Sequence, residues 1–265
     1  MVAVSIDDAG DPRIAPFRAL RDRDLRARDR TFIAEGKVVL AALLKARRFT
    51  VDAGLMLDRK LPGMADVLAH WPPHAPLYSA NQDVVDAIAG FHLHRGVLAI
   101  GRESIVETAA ALVGRLPADA LVVVGVGVAN HDNLGAIMRN CAVFGVDAAL
   151  FDRTSCDPLY RKAIRVSVGA ALQIPFAHGG DAADLVSLLQ SHGFAIWALT
   201  PGGSRDLHQI VPPRRLALLV GTEGEGLPHS LLTRLETVGI AMAGRFDSLN
   251  VAAATAIALH HARTR

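Results

Sequence analysis

The chain has 265 residues, of which 51% are hydrophobic and 20% charged, as in an ordinary globular protein. This composition excludes an intrinsically disordered chain, and the longest uncharged apolar stretches are far shorter than the roughly 20 residues of a membrane span. The 28 basic and 26 acidic residues give a net charge of +2, which by itself implies no particular partner. The acidic N-terminus and the two cysteines, Cys141 and Cys156, predict a soluble protein of a reducing compartment, the cytoplasm.

Residues 1–105 predict a small α/β domain. Residues 11–30 alternate arginine with aspartate, a pattern compatible either with a solvated helix or with a surface that faces phosphates. The segment that starts at Thr31 has apolar residues at helical spacing, and short strands and helices are predicted from there to residue 101. Residues 106–119 are interpreted as a linker that contains a short helix.

Residues 120–265 predict a longer series of alternating strands and helices. The predicted strands are 121–126, 146–151, 194–200, 216–221 and 238–242, and the predicted helices are 134–144, 158–168, 181–192 and 249–262. Such short strands, apolar on both faces, are typical of a doubly wound parallel sheet covered by helices. Ligands of these sheets bind at the carboxyl ends of the strands, so the loops at those ends are the candidate site.

Three of those loops carry polar or glycine-rich motifs. After the first strand, Arg139 lies away from the apolar stripe of its helix. After the fourth strand, residues 221–228 read GTEGEGLP, with Glu223 among three glycines, a spacing that matches neither a dinucleotide fingerprint nor a P-loop. After the fifth strand, Ser248 and Asn250 precede a helix of small residues. Ser248 is predicted to cap this helix, and Asn250 is a second capping candidate.

The order of these motifs along the chain is distinctive. NLGAIMRNCAVFGVD, then LLVGTEGEGLP, then IAM followed by SLNVAAATAIAL resemble the three signature motifs of the SpoU-type (TrmH family) RNA 2′-O-ribose methyltransferases of the SPOUT superfamily. Residues 161–176 resemble a fourth segment of that family, and the arginine-rich first part resembles its N-terminal RNA-binding domain, similar to ribosomal protein L30e. The chain departs from the family pattern at His131-Asp132-Asn133, which lacks a proline, and at Ile240-Ala241-Met242, where Ile-Pro-Met is usual.

The resemblance implies a C-terminal trefoil-knotted methyltransferase domain with a parallel sheet over 120–265, and a smaller L30e-like α/β domain over 1–105. It implies S-adenosylmethionine as the cofactor, a homodimer, and tRNA or rRNA as the partner, with no membrane and no metal. The pairs His92/His94 and His260/His261 lack a third ligand at zinc-site spacing. The residues that match donor-binding positions of the family are Thr200, Gly221, Ile240, Met242 and Leu249.

The residues that match the family's catalytic set are Asn133, Arg139, Glu223, Ser248 and Asn250. Methyl transfer requires a ribose 2′-hydroxyl to be aligned with the methyl group and to lose its proton. Because a guanidinium stays protonated at neutral pH, we interpret Arg139 as binding the target phosphate and stabilising charge that develops on the oxygen. Glu223 would orient Arg139 or Asn133, and Ser248 and Asn250 would position the ribose. The expected RNA contacts are Arg21, Arg23, Arg26, Arg28 and Lys37.

Three other functions remain open from the sequence. A knotted methyltransferase that acts on a base nitrogen is disfavoured by the SLN triplet of the third motif. A non-catalytic RNA-binding protein on the same fold is disfavoured because every polar residue of the expected site is present. A nucleotide-dependent oxidoreductase is disfavoured by the glycine spacing.

Overall fold

The computed structural model describes residues 3–18, 26, 30–89, 95–222, 224–244 and 248–263. Its strands are β1 Val4–Ile6, β2 Thr31–Glu35, β3 Phe49–Leu57, β4 Leu77–Ala80, β5 Val97–Glu103, β6 Ala120–Gly125, β7 Ala148–Phe151, β8 Phe176–His178, β9 Ala195–Leu199, β10 Arg205–Asp206, β11 Arg215–Val220 and β12 Glu236–Gly239. Its α-helices are α1 Lys37–Lys45, α2 Ala65–Leu68, α3 Gln82–Ala89, α4 Ala109–Gly114, α5 His131–Val143, α6 Arg161–Val166, α7 Ala182–Ser191, α8 His229–Leu232 and α9 Val251–Arg263. Short 3₁₀ turns occupy Pro12–Phe17, Asp58–Met64, Ala170–Leu172 and Leu207–Gln209.

The chain divides into two compact units. Unit 1 comprises Met1–Ile105 and Leu159–Leu172, and unit 2 comprises Val106–Pro158 and Gln173–Arg265. The sequence predicts a continuous second domain from residue 120, whereas residues 159–172 associate with unit 1 because α6 packs on β2. The segment 106–119 is more than a linker, since Leu112 and Val113 of α4 are fully buried in the apolar core of unit 2.

Unit 1 contains a five-stranded mixed sheet in the order β1–β4–β3–β5–β2. Strands β1, β4 and β3 run parallel, and β5 runs antiparallel to both β3 and β2. The prediction of a helix from Thr31 is wrong for its first turn, because residues 31–35 pair with β5 and are all buried. The helix begins only after Gly36, whose positive φ of 93° turns the chain out of the strand. Asn81 caps α3, since its carboxamide oxygen accepts a hydrogen bond from the Val84 amide at 3.0 Å.

Unit 2 contains a seven-stranded sheet in the order β10–β12–β9–β11–β6–β7–β8, in which every pairing is parallel. The predicted parallel α/β sheet is therefore confirmed, with the short strands β8 and β10 added to the predicted five. Strand β12 ends at Gly239, three residues before the predicted end, so Ile240 and Met242 lie in the following loop. None of the helices in the described part of the chain is long and apolar enough to cross a membrane.

Candidate active site

Three loops of unit 2 surround one cavity at the carboxyl ends of neighbouring strands. Strand β9 lies between β11 and β12, so the loops that follow these three strands meet at one edge of the sheet. The cavity has a volume of about 310 Å³, within the range of small-molecule sites. The residues with predicted donor or ribose roles that line it are Thr200, Gly221, Ile240, Met242, Ser248 and Leu249.

The cavity combines apolar walls with a few polar groups. Met242 and Leu249 are large apolar residues that remain 36% and 41% exposed, so an apolar ligand surface would cover them. Thr200 and Ser248 also line the cavity, and neither hydroxyl group makes a hydrogen bond to another residue within the described ranges. Glu225, which the sequence analysis did not single out, adds a carboxylate to the wall.

Gly221 is required by its own loop. A Cβ atom built on Gly221 would lie 2.4 Å from the carbonyl carbon of Gly226 and 2.6 Å from the amide nitrogen of Leu227. The loop closes on itself in the same place, where the Thr222 amide donates to the Gly226 carbonyl at 3.3 Å. A larger residue at position 221 would therefore open the loop. A loss of ligand affinity in such a variant could then result from the deformed cavity wall as well as from a direct clash with the ligand.

A buried carboxylate positions the loop that leads into α5. Asp152 accepts hydrogen bonds from the Gly127 amide at 2.9 Å and from the Ser155 hydroxyl at 2.7 Å, and the Ser155 oxygen accepts from the Val128 amide. Burial alone would raise the pKa of Asp152, but the hydrogen bonds from Ser155 and Thr154 outweigh it and hold that pKa below its usual range. The ionised carboxylate fixes the chain just before α5, and no sequence motif indicated this.

Two asparagines join the starts of α5 and α9. The Asn250 carboxamide donates to the Asn133 side-chain oxygen at 2.9 Å, and Asn133 is buried. The Asn250 side-chain oxygen accepts from the amides of Ala252 and Ala253 at 2.9 and 3.2 Å, so Asn250 caps α9. The prediction that Ser248 caps this helix is wrong, because Ser248 lies two residues earlier, on the cavity wall.

Arg139 lies where the helical pattern predicts. The stripe Leu134, Ile137, Met138 and Cys141 is fully buried, whereas Arg139 is exposed. Within the described ranges, its guanidinium has no hydrogen bond and no ion pair, which leaves its donors available to a phosphate or an oxyanion. Glu223, the predicted partner of Arg139 or Asn133, lies outside the described residues.

Arg26 has an internal partner that the sequence did not reveal. Its guanidinium bonds to the Glu103 carboxylate at 2.6 Å and to the Arg30 carbonyl at 3.0 Å, and Glu103 is buried and also paired with Arg48. Arg26 therefore contributes to a structural ion pair, because leaving Glu103 with fewer partners would be costly, and its predicted RNA contact stays a prediction.

The other predicted RNA contacts have different outcomes. Lys37 donates to the Gly63 carbonyl at 2.7 Å and pairs with Asp66 at 2.8 Å. Arg21, Arg23 and Arg28 lie outside the described residues.

The histidine pairs have no metal-site geometry within the described residues, where no three histidine, cysteine or acidic side chains are grouped as metal ligands. His260 packs edge-on against Phe144, and the Nε2 atom of His261 lies 2.8 Å from the Ile210 carbonyl oxygen. His92 and His94 lie outside the part of the chain that is described.

Comparison with known proteins gives consistent family matches. The profile of the SpoU rRNA Methylase family matches residues 120–260. A protein of Mycobacterium bovis named as an uncharacterized tRNA/rRNA methyltransferase is 41% identical over 97% of this chain and 90% of its own length. The Escherichia coli 23S rRNA (guanosine-2′-O-)-methyltransferase RlmB is 33% identical over 69% of this chain and 76% of its own.

Among solved structures, the S-adenosylmethionine-bound rRNA methyltransferase of Sinorhizobium meliloti superposes with a TM-score of 0.83 at 26% identity, over 98% of this chain and 97% of that one. The family profile matches more than half of the chain, and the Mycobacterium relative matches nearly all of it. The chain therefore belongs to the SpoU rRNA methylase family.

Proposed function

We propose that the protein methylates the 2′-hydroxyl group of a ribose in structured RNA and uses S-adenosylmethionine as the methyl donor. The observation that carries this proposal is the single cavity at the strand ends, where the five residues matched to donor binding come together. Family membership supports the reaction class, and RlmB, whose name specifies guanosine 2′-O-methylation, supports the ribose as the target.

The cavity suits this donor chemically. An adenine requires apolar walls, which Ile240, Met242 and Leu249 supply. Thr200 and Ser248 offer hydroxyl groups for the polar parts of the molecule, and the carboxylate of Glu225 is a complementary partner for a cationic amino acid moiety. The related Sinorhizobium meliloti enzyme is described as S-adenosylmethionine-bound.

The chain's own residues orient the hydroxyl and stabilise charge. When bound, the donor supplies a sulfonium methyl group: the ribose oxygen forms a bond to the methyl carbon as the sulfur–carbon bond breaks, and S-adenosylhomocysteine leaves. The hydroxyl proton passes to water. Arg139 stays protonated and stabilises negative charge that develops on the ribose oxygen, while it also holds the adjacent phosphate. Asn133 and Asn250, locked to each other, fix the start of α9 next to the cavity that Ser248 lines.

Several finer features of this proposal follow the family resemblance. The loops that follow β9, β11 and β12 would form the crossing of a trefoil knot, and unit 1 would be an L30e-like RNA-binding domain. The substrate would be tRNA or rRNA in the cytoplasm, and Arg21, Arg23 and Arg28 would add phosphate contacts. Glu223 would orient Arg139 or Asn133.

A homodimer would pair through α5 and α9. These two helices pack on each other, and the rings of Phe144 and His260 are in contact near the C-terminal ends of both helices. Close to this contact, Val143 is 69% exposed and Ile257 is 43% exposed. Ala252 and Ala258 of α9 are buried within the fold and cannot contact a partner subunit. Ala253 and Ala256 are accessible and would allow the partner subunit to approach closely. We expect a dimer at micromolar concentration by light scattering and a monomer for V143E/I257E. A wild-type monomer would contradict this pairing.

The reaction is tested directly with purified protein, methyl-labelled S-adenosylmethionine and total RNA from cells that lack the gene. A 2′-O-methyl group blocks alkaline cleavage of the next phosphodiester bond, so label is expected in alkali-resistant dinucleotides. Label in mononucleotides would indicate methylation of a base instead. RNA binding without any transfer of label would indicate a non-catalytic RNA-binding protein.

A further inference from the structure

A second cavity, of about 610 Å³, lies entirely within unit 1. It is formed by the turn from β2 into α1, the 3₁₀ turn Asp58–Met64, the start of β5 and the segment after α6. None of the residues assigned to methyl transfer lines it. The cationic residues on its wall are Lys37, Arg59, Lys60, Arg95 and Arg165.

The charge of this cavity is largely uncompensated. Among the described residues of its wall, the one carboxylate is that of Glu35, which is buried and paired at 3.0 Å with Arg161, and Lys37 is paired with Asp66. Arg59 donates only to the neutral carboxamide of Gln82.

Three further cations on the wall have no partner among the described residues. The side chains of Lys60, Arg95 and Arg165 make no hydrogen bond or ion pair to any described residue. Four cationic groups around one concavity, counting Arg59, therefore have no anionic partner there. The positive electrostatic potential of these groups would stabilise a polyanion bound in the cavity.

The backbone around these cations is unusually constrained. Val168, on the cavity wall, has a φ of 55°, a conformation that β-branched residues rarely adopt, and it is 40% exposed. Gly36, with its φ of 93°, lets the Arg95 side chain pass close, since a Cβ there would lie 3.1 Å from the Arg95 Cδ. Strained backbone such as that of Val168 is found preferentially at active sites and ligand-binding sites.

We infer that this cavity of unit 1 binds phosphodiester groups of the RNA substrate, with Arg59, Lys60, Arg95 and Arg165 as the contacts. Guanidinium groups bind phosphate oxygens bidentately, and the lysine adds a point charge. This inference adds to the proposed function a specific binding site for the RNA backbone in unit 1. It therefore rests on the proposal that RNA is the substrate.

The test compares two double variants that remove the same charge from unit 1. K60Q/R165Q removes two cavity cations, and K45Q/R47Q removes an exposed lysine and arginine that do not line the cavity. Binding of end-labelled rRNA fragments is measured against salt concentration. We expect K60Q/R165Q to flatten the slope of log K against log salt by about 1.4–1.8, or 0.7–0.9 for each lost phosphate contact, and K45Q/R47Q to leave it close to wild type.

The assignment would be overturned if the salt slope changed equally in both double variants, or if it did not change in K60Q/R165Q. Calorimetry with inorganic pyrophosphate shows whether the cavity binds the phosphates of RNA or a free phosphate-containing anion. If wild type binds pyrophosphate, K60Q/R165Q does not, and the RNA slope is unaltered, the cavity holds a free anion and the RNA assignment is wrong.

Kinetics separate this inference from the proposed function. K60Q/R165Q should raise KM for RNA, while kcat at saturating RNA and affinity for S-adenosylmethionine stay at wild-type values. If the wild-type protein transfers no methyl group to RNA, the proposed function fails, and the binding slopes still decide whether the cavity holds RNA.

Discussion

Replacing Ala254 with phenylalanine is expected to abolish donor binding. Ala254 lies on the first turns of α9, is half-buried and lines the cavity of unit 2. A phenyl ring there would occupy much of a space of only about 310 Å³. We expect the affinity for S-adenosylmethionine, measured by calorimetry, to fall by roughly 100-fold or more, or about 2.7 kcal/mol.

A helical alanine elsewhere in unit 2 supplies a matched control. Ala183 is exposed on α7, belongs to neither helix of the proposed dimer face and does not line the cavity, so A183F introduces the same side chain into a helix. Both variants should melt close to wild type, and A183F should bind the donor normally. Undiminished affinity of A254F for S-adenosylmethionine would place the donor elsewhere. This pair is a sharper test than a substitution of Gly221, which would deform the loop that forms the wall.

The parallel sheet of unit 2 could be predicted because local pattern and burial agree there. The predicted strands 121–126 and 216–221 differ by one residue from β6 and β11, which lie side by side at the centre of the sheet. Central parallel strands are covered on both faces, so they are continuously apolar and have an unmistakable signature. The helical stripe of α5 was predictable for the same reason, and it correctly separated Arg139 from the core.

The errors arise where long-range pairing overrides a local pattern. Thr31–Glu35 continues the apolar spacing of α1, but its backbone pairs with β5, some 70 residues along the chain. Ser248 has the intrinsic preference of a cap, yet Asn250 takes the position because its carboxamide can bond both Asn133 and the first amides of α9. The partner of Arg26 is 77 residues away, so no spacing rule could have revealed it.

Arg139→Ala should separate catalysis from folding and from donor binding. The side chain is exposed and off the buried stripe, so the free energy of unfolding should change by no more than about 1 kcal/mol. If the guanidinium meets charge that grows in the transition state, single-turnover methylation at saturating RNA should slow by roughly 10²–10³, as for loss of one oxyanion donor. Affinity for S-adenosylmethionine should hardly change, because Arg139 does not line the donor cavity.

The lysine variant and a second arginine show whether the effect belongs to the guanidinium at this position. R139K should recover little activity, since one ammonium group cannot reproduce the two parallel hydrogen bonds of a guanidinium to a phosphate. Arg234, which is exposed in unit 2 beyond α8 and does not line the donor cavity, provides the control, and R234A should methylate at the wild-type rate. Full activity of R139K with an inactive R139A would reduce the role to that of a simple positive charge. Wild-type rates for both Arg139 variants would remove this residue from the mechanism and leave the developing charge on the ribose oxygen to be stabilised by other groups of the site.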